Sequence, residues 1–592
     1  MSKFPSLQNV LHATQKTILR FPLETIATIC GTIFAILLIE DEYKDSEYLL
    51  VKAIMSCSLC LVLFLSISLF FLASKKNTLF RLLTSLTLGS LAIAFVFSFN
   101  KDITEVEIQQ FLVLNIALHL LVSFAGFLPR TYNQDEFWEF NKQLFLRILT
   151  SGLYSGVLYL GLAIAITAVE KLFNVEISDK IYGYLFFIII GIFNTIFFLN
   201  GVPDTNNAEV PLKLSYPNGL KNFTQYVLMP LISLYLVILI CYETKILITL
   251  SLPIGWVSYL VLVFAVFGIL SFLLIHPIAT EKGNLWMRTF NRWFYYLLVP
   301  LLGLLFWAIS YRIQLYGFTH ERYYVLLLSI WLSIVVAYFL IQKQPKIKFI
   351  PISLCLVALF SIAGPQSADS ISKNSQLSRF ETYMQKSEKG KLTFEQEQDL
   401  SSIVDFLEKN YGIKILLAYT DHKLDILLNK DKDPDSSQIM KALGFHYRYQ
   451  YDKEERIKND NEFYYNFYKN ERENIEDIHG YDIAFSIGEN NDIDCDNCIN
   501  INNKNYSIMS SKKDYGLDLQ INQDIIPLRI VDFVSENQGF DQNENSEEKI
   551  VQKIESPKYT FLITYITVSG KKDEKKKTLD KYQIKVMIQI KN

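Results

Sequence analysis

The sequence predicts an α-helical polytopic membrane bundle of about eleven transmembrane helices, followed by a C-terminal soluble α+β domain. Three observations lead there. Charge is divided unevenly along the 592 residues, with 45 charged side chains in the first 363 and 72 in the last 229. Within the first part, mostly apolar runs begin near Pro22, Tyr48, Leu79, Ile108, Leu144, Ile181, Phe223, Ile254, Trp293, Tyr323 and Ile347. Each approaches the roughly 20 residues that a helix needs to cross about 30 Å of hydrocarbon. Finally, Lys and Arg favour alternate loops between these runs.

In chain order, residues 1–21 place Leu7, Val10, Leu11, Ile18 and Leu19 on one helical face, the pattern of an amphipathic segment lying in the membrane interface. Lys3, Lys16 and Arg20 precede the first apolar run as they would in a signal peptide. No small-x-small cleavage site follows Ile39, so this run reads as a retained span. The spans occupy residues 22–363. With a cytoplasmic N-terminus, 17 Lys and Arg fall in inside segments and 8 in outside segments, the bias expected of cytoplasmic loops. An odd number of crossings then puts the C-terminal domain in the periplasm. Two stretches are weak. The last run, IKFIPISLCLVALFSIA, is short and contains Pro351. The region Ile246–Trp256 leaves the topology unchanged if it is re-entrant and reverses all that follows if it spans.

Residues 364–390 read as a helical linker and 391–592 as the soluble domain. Leu400, Ile403, Val404 and Leu407 share one face of a helix that ends at Gly412. From Phe463 onward, short alternating runs such as YDIAFSIG, YTFLITYITV and YQIKVMIQIK predict strands, the last two flanking the lysine-rich hairpin tip GKKDEKKKTLDK. This part holds 32 basic against 40 acidic residues, a balance that argues against nucleic acid as a partner.

Two segments are specific strings rather than generic apolar pattern: YRIQLYGFTHERYYVLLLSIWL (Tyr311–Leu332) and GPQSADSISKNSQLSRF (Gly364–Phe380). Together with Pro230–Ser258, they resemble the bacterial membrane family catalogued as domain of unknown function 4153, over most of the first 385 residues. The resemblance implies a bacterial polytopic inner-membrane protein and supplies no activity.

Three groups of polar residues call for explanation. In the first, Arg312, Tyr316, Gly317, Thr319, His320, Glu321 and Arg322 form a helix end, a turn at Tyr316-Gly317 and a helix start with Thr319 as N-cap. Either the arginines snorkel to headgroups from a tight hairpin, or the cluster binds an anionic group or an acidic residue of another span. In the second, Asn115 and His119 lie four apart on one helix face, and Asn194 sits within another span. Interhelical hydrogen bonding explains all three, and proton-coupled transport is the alternative for His119. In the third, Cys495 and Cys498 suit a disulfide in an oxidising compartment; a redox pair, or a zinc site short of ligands, is the other reading. Asp492, Asp494 and Asp496 alternate as in the opening of a calcium loop, but Asn497 and Asn503 stand where its turn glycine and bidentate glutamate belong.

No phosphate loop, His-Glu-x-x-His or Gly-x-Ser-x-Gly is present, so neither an enzyme nor a cofactor is expected. The expected role is an envelope scaffold or sensor that presents its outer domain to a partner. The alternative is a transporter or a lipid- or anion-handling protein using the Arg312/Arg322 region. The partners are accordingly the lipid bilayer, an envelope protein, or a small anionic or lipid ligand.

Overall fold

The computed structural model describes the chain apart from residues 1–6, 41–45, 130, 205–213, 250–255, 279–284, 421–422, 425–426, 428–433, 450–462, 469–476, 489–492, 514, 537–550, 573–576 and 592. It divides into two compact units, Met1–Tyr447 and Arg448–Asn592. The boundary expected at 390/391 therefore falls inside the first unit.

That unit is helical. After α1 (Leu7–Arg20) come α2 (Pro22–Glu40), α3 (Glu47–Ser74), α4 (Thr78–Phe97), α5 (Glu105–Ala125) and α6 (Gln134–Phe173). Next, α7 (Lys180–Phe187) and α8 (Asn194–Asn200) are joined by a π-helix at Ile188–Phe193. A second π-helix, Thr224–Leu228, joins α9 (Asn218–Phe223) to α10 (Met229–Thr249). The bundle closes with α11 (Trp256–Ile275), α12 (Leu285–Tyr316), α13 (His320–Ile341) and α14 (Phe349–Ile362). Among the described residues nine helices are long and apolar enough to cross a membrane, and two shorter apolar ones lie in α11 and α14. Local chemistry starts these helices where the sequence allows. Thr104 and Glu107 form a capping box at α5, and the Asn133 side chain accepts from the Asp135 and Glu136 amides at α6.

Alternate loops meet at one end of the bundle. Arg20 donates to the Val202 carbonyl at 2.9 Å, Tyr216 to that of Leu274 at 3.0 Å and Trp138 to that of Leu273 at 2.7 Å. Gln134 contacts His276 at 2.7 Å and accepts from the Ile347 amide at 3.3 Å. Helix α14 is only 14 residues long, about 21 Å at 1.5 Å per residue, with Pro351 in the first turn where its missing N–H costs nothing. It nevertheless links the two ends: it starts beside Gln134, and the carbonyl of Gln366, just past its far end, accepts from the Tyr323 hydroxyl at 2.7 Å. In the stretch Ile246–Trp256, Ile246–Thr249 finish α10 and Trp256 begins α11; residues 250–255 lie outside the described set.

The chain then forms α15 (Ala368–Lys389), α16 (Phe394–Tyr411), a 3-10 turn (Ile413–Tyr419) and α17 (Ser436–Leu443). Leu400, Ile403, Val404 and Leu407 of α16 are buried with Phe380, Leu416, Ile439 and Met440. This helical cap belongs to the first unit because α15 packs on α13, and Lys409 pairs with Glu105 of α5 at 2.8 Å.

The second unit is built of antiparallel sheets. One has the order β1-β8-β9-β2, with β7 also pairing β8: β1 Phe463–Tyr468, β2 Ile483–Gly488, β7 Val551–Glu555, β8 Tyr559–Lys572 and β9 Lys577–Ile590. The other is a meander of β3 (Asp494–Ile501), β4 (Lys504–Lys513), β5 (Gly516–Ile521) and β6 (Asp524–Leu528), followed by a short α18 (Ile530–Glu536). Inward residues of both sheets, among them Ile508, Leu519, Phe561, Ile563, Tyr565 and Val586, share one core.

Candidate functional site

The bundle holds a chamber of about 590 Å³ between α3, α5, α6 and α8. Its walls are mostly apolar, with Leu61, Val62, Leu65, Leu144, Phe145 and Phe198 among them. A few polar groups face in: His119, Ser123, Asn141, Ser151, Asn194 and Thr195. The size lies within the roughly 300–1,000 Å³ of small-molecule sites, and so does the mix of apolar wall and sparse polar groups.

Each polar group is placed by its helix. His119 Nδ1 bonds the Asn115 carbonyl one turn back at 2.8 Å, and Nε2 has no hydrogen-bond partner among the described residues. Asn115 itself points elsewhere and donates to Ser58 Oγ of α3 at 3.2 Å. Although the two share a helix face, only His119 reaches the chamber. Asn194 follows the π-helix directly, and its Oδ1 accepts from Ser155 of α6 at 3.3 Å. A π-turn re-aims the residues that follow it. Gly191, inside that turn, permits the close approach of α2: a Cβ there would lie 2.1 Å from Thr32 Oγ1. Asn141 donates to the carbonyls of Ser123 and Phe137, at 3.1 and 2.9 Å. Sequence reasoning missed Asn141. The available signal was an amide among aromatics in EFWEFNKQLF.

At the other end of the bundle, the Tyr311–Tyr324 string meets the Gly364–Phe380 string. The carbonyls that finish α12 have no intrahelical partner and are capped by side chains. Arg322 donates to the Tyr316 and Gly317 carbonyls at 3.0 Å each, and Gln376 to those of Tyr316 and Phe318 at 3.0 and 2.7 Å. Arg379 donates to Leu315 and pairs with Asp399 of α16. The Phe318 amide donates to Ser375 Oγ at 2.9 Å. Gly317, at φ +68°, makes room for all of this. Arg322 also lies over the exposed Tyr316 ring, 5.4 Å from its centroid. Nη1 of Arg322 therefore serves the backbone rather than an anion. Arg312 is half-buried, with no hydrogen bond or ion pair among the described residues, and Glu321 is exposed. Thr319 occupies the N-cap position, but its hydroxyl makes no cap bond; only its carbonyl is used, accepting from the Tyr323 amide at 2.9 Å.

His320 is buried between α15 and α16. The Tyr411 hydroxyl donates to Asp369 at 2.9 Å and lies 3.2 Å from His320 Nε2, so Nε2 carries the proton of that contact. His320, 3.9 Å from Asp369, and then the Tyr411 hydroxyl hold that carboxyl below the usual carboxylate range. Burial, and then the Asp369 charge, push the Tyr411 phenol up.

Cys495 and Cys498 of β3 are joined in the structure, their Cα atoms 5.6 Å apart, where the register with β4 is irregular and Asn497 has φ +50°. Asp494 and Asp496 lie on the same strand and Asp492 lies outside the described residues; no group of three metal-ligating side chains occurs among the described residues. The side chains of the lysine-rich tip between β8 and β9 also lie outside the described set.

An uncharacterised protein of Pasteurella multocida (strain Pm70) is 26 % identical over 232 residues, which are 38 % of this chain and 38 % of that protein. The match thus spans well under half of the relative's length. No solved structure matches the chain. Residues 59–402, more than half of the chain and including both strings that meet at the α12–α13 turn, match the family described as "Domain of unknown function (DUF4153)", and the chain belongs to that family.

Proposed function

We propose that this multi-pass protein takes an amphiphilic, lipid-like molecule into the chamber between α3, α5, α6 and α8. The chamber carries the reading: its apolar walls suit an acyl chain, while His119 Nε2 and the amides of Asn141 and Asn194 offer donors and acceptors to a polar group. At hydrocarbon depth, lipid is the abundant solute. The anion-handling version built on Arg312 and Arg322 is not carried forward, because no cavity is described beside them and Nη1 of Arg322 already caps the end of α12.

Gly152 lines the chamber, and a Cβ there would meet nothing within 4 Å. Gly152→Trp should therefore fill the space without moving the backbone. Lipid that co-purifies with the wild-type protein, measured by mass spectrometry after extraction, is expected to fall about tenfold in the variant at unchanged thermal midpoint. Equal lipid in both proteins would refute the reading.

A second reading, an envelope scaffold or sensor, is favoured by the separate compact β unit, Arg448–Asn592, which such a protein would present to a partner. It places the chain in a bacterial inner membrane with a cytoplasmic N-terminus and the β unit in the periplasm, as the loop charges suggest. Cys495 and Cys498 are then oxidised in the cell. The expected result is that both resist alkylation in intact cells until a reductant is added, and that a phosphatase requiring an oxidising compartment is active when fused after Asn592. An inactive fusion with freely alkylated cysteines would place this unit in the cytosol.

A further inference from the structure

Where α1 meets the bundle, Glu24 is completely buried, three residues into α2. Its Oε1 accepts from the Ser68 hydroxyl of α3, and its Oε2 has no hydrogen-bond partner among the described residues. The nearest cation among the described residues is Nη2 of Arg81 on α4, 3.9 Å from Oε2, and that nitrogen already donates to the Arg20 carbonyl at 2.9 Å. Helices α2 and α4 both begin at this end, so four residues carry each about 6 Å in the same direction. There the hydroxyls of Thr28 and Ser85 are likewise buried without partners. Beyond the Glu24–Arg81 level, two more buried hydroxyls, one on α2 and one on α4, thus have no partner among the described residues.

A carboxylate removed from water requires a full set of donors. One hydroxyl, and a guanidinium beyond hydrogen-bond distance, fall short of that. Adding a proton to Oε2 removes the charge and converts an unsatisfied acceptor into a donor. We infer that Glu24 is a proton-binding site of the membrane unit, alternating between a carboxylate held by Arg81 and a neutral acid that releases it. The step is simple protonation of Oε2, with no other reactant.

The groups that face Glu24 are few. Helix α4 supplies Arg81, α3 supplies Ser68, and α1 supplies Arg20, whose guanidinium turns to the Val202 and Pro203 carbonyls and to Asp204 at 3.8 Å. The π-helix meets α2 at Thr32, neither it nor α8 carries a charged residue, and the Lys180–Glu40 pair lies at the far end of α2. Arg81, with 13 % of its side chain exposed against none for Glu24, lies toward water. Occupancy would be felt by α1, through the Arg20 carbonyl, and along α2. The inference goes beyond the chamber and stands whether or not lipid binds there.

Dicyclohexylcarbodiimide adds to protonated carboxyl groups in apolar surroundings and can be mapped by peptide mass spectrometry on the full chain in membranes. Glu24 is expected to be labelled, with a yield that rises about fivefold or more between about pH 9 and about pH 5. Arg81→Gln should raise the yield at the alkaline end, since it removes the cation that favours the charged form; a purely structural Glu24 would not respond in this way. Glu24→Gln should abolish the adduct, together with the infrared carbonyl band of a protonated acid. A yield indifferent to pH, or no adduct combined with no band lost in Glu24→Gln, would overturn the inference. The wild-type and Glu24→Gln measurements suffice if Arg81→Gln does not accumulate.

Discussion

Gly317→Val is expected to release the helical cap from the bundle and to lower stability by several kcal/mol, about 3–5 when its parts are combined. Gly317 has φ +68°, where an L-residue costs about 1–2 kcal/mol and a β-branched one more. Its added Cβ would lie 2.7 Å from Arg379 Cδ, 2.9 Å from Ser375 Oγ and 3.1 Å from Gln376 Nε2. Those three side chains supply the bonds between α15 and the α12–α13 turn, and each bond lost removes about 0.5–1.5 kcal/mol. The readouts are the thermal midpoint in detergent and limited proteolysis across residues 381–443. Gly303→Ala in α12 is the control, because a Cβ there meets nothing within 4 Å and alanine favours a helix by roughly 0.5–1 kcal/mol. Equal behaviour of the two variants would show that the turn does not hold the cap.

That turn also shows what was legible in the sequence. The apolar runs announce their helices because a spanning segment must satisfy its backbone internally and face lipid with apolar side chains. The capping box at Thr104 and the break at Gly317 are local in the same sense. The strands from Ile483 onward could be read from period-2 alternation. What was not legible is pairing at a distance. The Tyr311–Tyr324 and Gly364–Phe380 strings stand out separately, and nothing in either says that Gln376 and Arg379 cap the carbonyls left by Leu315–Phe318. Arg322 looked like a cation in search of an anion because its acceptors are backbone atoms, which have no residue code. The chamber was half visible: His119 and Asn194 were singled out as polar groups in apolar runs. That they share a cavity with Asn141 follows from the packing of four helices and from a π-turn at Gly191, features no periodicity announces. Glu24 stands at the start of its helix, where the sequence alone suggests nothing more than an interface position; the packing of neighbouring helices around it is what buries it.

Lys142→Met is expected to cost more than the loss of any exposed charge in the bundle, on the order of 3–5 kcal/mol. Lys142 and Glu139 lie one turn apart at the start of α6, 2.7 Å from each other, with side chains 5 % and 2 % exposed. The ammonium also donates to the Ser215 carbonyl at 2.7 Å, while Glu139 accepts from the Ser215 amide at 2.9 Å and from Gln143 at 2.8 Å. The pair thus clamps the chain ahead of α9 onto α6, beside Trp138, which stacks on Tyr216. Removing the cation leaves a buried carboxylate with two neutral donors, and removing the anion alone leaves a buried ammonium. The double variant Glu139→Gln/Lys142→Met buries no charge and keeps an amide oxygen for the Ser215 amide. It should therefore recover much of the loss, giving a coupling energy well above that of a surface pair. Lys171→Met supplies the comparison. Its ammonium is nearly as close to Glu170, at 2.8 Å, yet 74 % of the Lys171 side chain is exposed, so little or no loss is expected. Thermal unfolding of the wild type, Glu139→Gln, Lys142→Met, the double variant and Lys171→Met in one detergent decides between burial and distance as the source of the effect. If Lys142→Met and Lys171→Met shift the midpoint alike, water reaches Glu139, and the clamp on residues 214–216 is not the dry contact described.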